Sequence, residues 1–160
     1  DNHYPVAQVR HILIKAVADS DGSYTDKAKE IAKNRAEEIL AEFNAGDKTE
    51  DSFAELAKDY SEDTGSAENG GLYDTVYKGA TVEEFDKFCF EGHKKGDTAI
   101  VYGESSSYAG YHVMYYVGEG DLSSNLLAKN DLVNTTVSQW VEDQVNALTV
   151  TTGWWLRIAG

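Results

Sequence analysis

Cysteine is nearly missing from this chain: Cys89 is the only one in 160 residues. No intrachain disulfide can form, so the fold must rest on packing, and the lone thiol reads most simply as a small buried hydrophobe. Cations are scarce as well. Lys and Arg number 14 against 28 Asp and Glu, a net charge of -14. That balance argues against a nucleic-acid partner and against an anionic membrane surface, since both need clustered positive charge. It is expected chiefly to keep the chain soluble. No apolar run approaches the roughly 18 residues of a membrane span, so the segment is not expected to insert into a bilayer. Internal repeats and low-complexity tracts are absent too. The first residue is Asp1 rather than methionine, which reads as a processed chain or an expression product.

What is present is strong local patterning. Residues 8–16 are rich in Val and Ile and alternate loosely, the pattern of a strand. After the polar turn Asp19–Ser23, Thr25 is a candidate helix cap. Ala28, Ile31, Ala32, Ala36, Ile39, Leu40 and Phe43 follow at helical spacing, and Gly46 is a stop signal. A second helix is expected from Ser52-Phe53-Ala54-Glu55, burying Phe53, Leu56 and Tyr60. Residues 61–71 are loop by composition, and 72–77 a short strand. Thr81-Val82-Glu83-Glu84 reads as another capping box, opening a short helix with Phe85 and Phe88 on one face. Thr98–Tyr102 and Tyr111–Val117 read as strands. In the latter, Tyr111, Val113, Tyr115 and Val117 share one face; His112, Met114 and Tyr116 share the other. Helices enclosed between the first and last strands predict an α+β fold with a mostly antiparallel sheet.

The tail is different. Ser123–Leu148 reads as one long helix with a partial apolar stripe. Thr149–Thr152 is β-prone, and the stretch from Trp154 to Ile158 is apolar, so a terminal strand is expected. Trp140, Trp154, Trp155, Leu156 and Ile158 carry enough apolar surface to predict docking. The surface that receives them could be the chain's own domain, a second copy or a flanking region. At least two of the three tryptophans are expected to be mostly buried.

Three separated motifs carry the functional signal. His11 opens the apolar run Ile12-Leu13-Ile14. The loop Tyr60–Leu72 carries Asp63 and ends in Gly70-Gly71. Gly110-Tyr111-His112-Val113-Met114 places a second histidine in a strand. In order and spacing they resemble the parvulin family of peptidyl-prolyl cis/trans isomerases over roughly residues 6–119. Residues 120–160 form a C-terminal extension beyond the resemblance. The resemblance implies a four-stranded, FKBP-like sheet with surrounding helices. It also implies an isomerase that assists folding of secreted or envelope proteins, in an extracytoplasmic setting, on unfolded or proline-containing clients. A homodimer, or docking to a flanking domain through residues 121–160, is compatible with it.

By the same resemblance, His11, Asp63, Ser107 and His112 are the catalytic set. Leu72, Thr81, Phe85, Phe90, Tyr108 and Ala109 line the substrate pocket. Prolyl isomerisation needs no nucleophile, metal or cofactor. Its barrier of about 18–20 kcal/mol is amide resonance, and a site lowers it by holding the twisted amide better than either planar form. Asp63 is expected to contribute through its field and little to stability, as a loop carboxylate with little packing. Each residue also has a plainer reading. A strand histidine can be a satisfied core group, a glycine pair merely a turn, and Phe85 and Phe90 plain core. No pair among His11, Asp63, His112 and Cys89 has the close spacing of zinc ligands, so no metal and no cofactor is expected.

The chain also departs from the family pattern. Gly70-Gly71-Leu72-Tyr73-Asp74 stands where Gly-Gly-Asp-Leu-Gly is usual, and Ala80-Thr81 where Gln-Met is usual. Ala109 replaces an aromatic or serine. These changes alter the pocket wall and leave open a second reading, a peptide-holding module without turnover. The loop after the first strand carries Asp19 and Asp21 with only Lys15 nearby. No preference for phosphorylated substrates is therefore expected.

Overall fold

A computed structural model describes residues 3–155, with side chains described through residue 147. The chain separates into two compact units, Pro5–Gly120 and a second made of Asp1–Tyr4 with Asp121–Gly160. In the first unit, a four-stranded sheet runs in the order β2-β1-β4-β3. Its strands are β1 (Pro5–Lys15), β2 (Leu72–Val76), β3 (Thr98–Glu104) and β4 (Ala109–Leu122). β1 pairs antiparallel with β2, and β3 with β4. A side chain on Gly110 would strike Ile14, and one on Gly120 would strike Val6, so β1 and β4 also run in opposite directions.

Helices cover both faces. α1 (Asp26–Ala45) begins where Thr25 accepts the Ala28 N–H and ends at Gly46. It buries Ala32, Ala36, Ile39 and Phe43, while Ile31 points to solvent at 60% exposure. α2 (Glu50–Tyr60) starts two residues before the expected box. Thr49 and Ser52 cap each other's backbone, so the reciprocal bond uses a serine at N3. With Ile12, Ile14, Val113 and Tyr115 from the sheet, these helices enclose the larger core. On the opposite face, α3 (Glu83–Phe90) packs Phe85, Phe88 and Cys89 over Ala7, Val9, Met114 and Tyr116. The N-cap of α3 is Val82, with no side-chain cap bond. Burial pushes the Cys89 thiol up to about 12, which fits its packing role.

The pleat therefore sorts residues by function. Ile12 and Ile14 face α1 and α2, whereas His11 shares its face with Phe85 of α3. On β4, Val113 and Tyr115 enter the first core while Met114 and Tyr116 enter the second. The alternation read from the sequence sets this division.

In the second unit, α4 spans Ser123–Trp155. Thr149–Thr152 are helical, which corrects the expected strand. A β-prone stretch needs a neighbouring strand for its backbone groups, and continuing a helix satisfies them locally. Trp140 is 63% exposed within the single chain, with Leu132, Val133 and Val137 exposed beside it. The side chains of Trp154 and Trp155, and all of Leu156 and Ile158, lie outside the described residues.

Candidate active site

The site begins with a loop fastened along β1. The Leu13 N–H donates to Ser61 Oγ at 3.1 Å, Glu62 N–H to the Leu13 carbonyl at 2.8 Å, and His11 N–H to the Gly71 carbonyl at 2.9 Å. Glu62 also accepts the Lys15 N–H through its carboxylate. Gly71 has φ +69°, and a Cβ there would stand 2.2 Å from the His11 carbonyl oxygen. Only glycine allows that approach. Arg10 secures the turn from the side. Its Nη1 donates to the carbonyls of Asn69 (3.0 Å) and Gly70 (2.9 Å), and its Nε to Glu50 at 3.2 Å. A strand, a helix start and a glycine turn thus converge to fix where Asp63 sits.

A continuous hydrogen-bonded chain of side chains results. His11 Nε2 lies 3.0 Å from Asp63 Oδ2. His11 Nδ1 lies 3.0 Å from His112 Nδ1, and His112 Nε2 lies 3.0 Å from the Tyr108 hydroxyl. With both rings neutral, one assignment uses every proton once. Tyr108 donates to His112 Nε2, His112 Nδ1–H to His11 Nδ1, and His11 Nε2–H to Asp63. Gly103 makes room for the far end, since a Cβ there would meet His112 Nε2 at 2.8 Å and the Tyr108 oxygen at 3.1 Å.

Asp63 is the hub. Its Oδ2 also accepts from Ser66 Oγ at 2.6 Å and from the Tyr73 hydroxyl at 3.1 Å, and Oδ1 accepts the Gly65 N–H at 3.2 Å. The bond to His11, with help from Ser66 and Gly65, outweighs burial and holds this carboxyl well below the usual range. His112 moves the same way for a different reason. Burial, and then the neighbouring His11, push it down to about 3, so it is neutral at physiological pH.

Above this chain lies an open pocket of about 330 Å³, lined by His11, Tyr73, Ala80, Thr81, Val82, Phe85, Tyr108 and His112. Phe85 stands edge-on to both imidazoles, with centroids 5.5 Å from His11 and 5.4 Å from His112. It joins the two histidines to an apolar wall. Thr81 contributes to the lining while its Oγ1 is buried without a hydrogen-bond partner among the described residues.

The residues expected from sequence divide into two groups. His11, Asp63 and His112 meet, and Thr81, Phe85 and Tyr108 line the pocket. The other expected residues lie elsewhere. Ser107 is at the exposed tip of the β3–β4 turn, bonded to Ser105 at 3.1 Å. Leu72 pairs with Arg10 in the β1–β2 register, and the pocket side of β2 belongs to Tyr73. Phe90 packs at the margin of the α3 core. Ala109 is fully buried, and its carbonyl accepts the Ala16 N–H at 2.7 Å. Sequence reasoning missed Ser66, Tyr73, Arg10 and Gly103. The spacing of Asp63 and Ser66 in a turn-forming loop is a signal for the first of these.

A family model for the PPIC-type PPIASE domain matches residues 2–117. Foldase protein PrsA 3 of Bacillus anthracis is 31% identical over 156 residues, covering 92% of this chain and 47% of that protein. Foldase protein PrsA of Staphylococcus aureus (strain Newman) is 36% identical over 139 residues, covering 87% of this chain and 40% of that protein. The chain thus spans about half the length, or less, of the curated relatives it matches. The crystal structure of PrsA from Bacillus anthracis superposes with a TM-score of 0.53 at 30% identity, over 76% of this chain and 45% of that one. The PPIase domain of TBPAR42 superposes at 0.52 with 26% identity, over 69% of this chain and 98% of that one.

Proposed function

The chain belongs to the family of PPIC-type peptidyl-prolyl isomerase domains, and on that premise we propose that it catalyses cis/trans isomerisation of X-Pro bonds in unfolded polypeptides outside the cytoplasm. The observation that carries this reading is the hydrogen-bonded chain Tyr108–His112–His11–Asp63 beneath an apolar pocket of about 330 Å³. Uncatalysed X-Pro isomerisation takes tens to hundreds of seconds, slow enough to limit folding. The proline ring would rest against Phe85, Val82 and Ala80, and contact with them would exclude water. A less polar setting favours the twisted amide, whose carbonyl is less polarised than in the planar forms. The coupled histidines hold the floor rigid, so hydrogen-bonding groups stay aimed while the amide turns. No bond to the enzyme forms in this scheme.

The foldase names of the relatives support unfolded polypeptides as clients, and the extracytoplasmic setting rests on the resemblance of the sequence motifs. Among the described residues, no helix is long and apolar enough to cross a membrane. The pocket lining contains no lysine or arginine, which agrees with a site indifferent to substrate phosphate. The direct test is exchange NMR on short X-Pro peptides. Faster cis/trans exchange with the native chain, lost in His112→Ala, is the expected result. Peptide binding without faster exchange would favour the holding module.

A further inference from the structure

Resting on that isomerase reading, we propose that Tyr73 is a specificity-determining residue. It closes Asp63 off from the pocket and offers the substrate a neutral phenol where a carboxylate would otherwise stand.

The geometry leads there in steps. Tyr73 lines the pocket, and Asp63 is not among the lining residues. The phenol oxygen donates to Asp63 Oδ2, the atom already taken by His11 and Ser66. Each carboxylate oxygen offers about two acceptor sites, so His11, Ser66 and Tyr73 together more than fill Oδ2 and leave it nothing for a substrate. Oδ2 is thereby committed to His11, Ser66 and Tyr73, Oδ1 accepts the Gly65 N–H, and the carboxylate, 21% exposed, takes no part in the pocket lining. The ring of Tyr73 is gripped on two sides, edge-on to His11 at 4.8 Å and to Phe85 at 6.1 Å. The residue is 37% exposed, so one side of the ring meets whatever enters. Burial and the charge of Asp63 push the Tyr73 hydroxyl up to about 12, so the phenol keeps its proton at physiological pH.

The consequence concerns the residue before proline. An uncovered carboxylate at the pocket wall would favour Lys or Arg there and disfavour Glu. A capped one leaves selection to shape. In this acidic chain the cap keeps the pocket open to clients of either charge.

The experiment compares tetrapeptides Ala-Lys-Pro-Phe, Ala-Leu-Pro-Phe and Ala-Glu-Pro-Phe with the native chain, Tyr73→Phe and Tyr73→Leu. Exchange rates and equilibrium binding are measured for each pair. Tyr73→Phe keeps the ring and removes only the hydroxyl. Its preference for Lys-Pro over Leu-Pro should rise about two- to fivefold, the range of a weak, partly exposed ion pair, and Glu-Pro should lose ground. Tyr73→Leu should move the same way, so one folded variant suffices. Adding Asp63→Asn to either should cancel the gain. Unchanged ratios in a folded variant, or a gain that survives Asp63→Asn, would overturn the proposal. If the native chain binds all three peptides and speeds none, the isomerase reading fails, and the binding ratios still decide the role of Tyr73.

Discussion

The two faces of the sheet use the same strands for opposite ends. Toward α1 and α2, Ile12, Ile39, Phe53 and Val113 are fully buried in a cluster of apolar groups and tyrosines. Toward α3, the adjacent strand positions carry His11 and His112, both buried yet joined to each other and to an open pocket. One face is sealed by its apolar side chains, with the Arg10–Glu50 pair at its margin. The other stays polar and accessible, and its buried ring nitrogens all have partners. Stability and chemistry are thus separated by a single step along each strand. Changes on one face should leave the other largely alone.

The largest expected effect comes from the sealed face. Phe53→Ala should cost about 3–5 kcal/mol of stability, read from urea unfolding. Turnover of the molecules that remain folded should hold within about twofold, within the additivity expected for distant sites. A collapse of activity in folded protein would break the separation.

Next comes Asp63→Ala. Turnover should drop about tenfold or more, roughly 1.4 kcal/mol. The structure also revises the expectation that stability would barely change. Removing the hub takes the charged partner from His11 Nε2 and the Ser66 hydroxyl and leaves them only each other at 3.2 Å, a cost of about 1–3 kcal/mol. Equal urea midpoints for Asp63→Ala and the native chain would contradict that revision.

The open face should also make stability depend on pH. His112 takes a proton in the unfolded chain near the ordinary histidine value of about 6.5, but in the native state only near 3. Between those values the unfolded state binds more protons, so stability falls as pH drops from about 6.5 toward 3. Asp63 adds to the loss lower down. Its folded pKa is depressed, so its contribution is full above the ordinary carboxylate range and fades as pH falls below it. Urea midpoints at pH 7, 5.5 and 4.5 fall mainly within the His112 range. His112→Phe should flatten their trend; an unchanged slope would show that the burden lies elsewhere.

The smallest effect is expected in the second unit. Trp140 is 63% exposed on α4. Trp140→Ala should change stability by less than about 0.5 kcal/mol. Quenching by acrylamide should reach this indole readily, and strong protection would reveal a covering surface.

Much of the sheet was legible because its signals are local and periodic. The two faces of β4 follow directly from alternation at Tyr111–Val117, and Thr25 and Gly46 bracket α1 as helix signals should. The histidines and Asp63 were legible as motifs. Position within the pocket was less so. Assigning Leu72 rather than Tyr73 to the wall is a slip of one residue, and in a strand that reverses the face. Ser107 was one position from Tyr108, and only the second reaches His112. Gly103 has ordinary strand surroundings in sequence, and its need for no side chain arises from a ring in the neighbouring strand. The end of α4 escaped because β-propensity reports on neighbours that a sequence window does not contain.

The loop from Ser61 to Gly71 has one more consequence. Its bonds to His11, Leu13 and Lys15 occupy the part of the β1 margin that β2 leaves uncovered. A bare sheet margin is a template for any extended chain that comes near. Unfolded polypeptides, the clients proposed for this domain, are rich in such chains. By filling this stretch with its own backbone, the loop that carries Asp63 closes that part of β1 to an incoming extended chain.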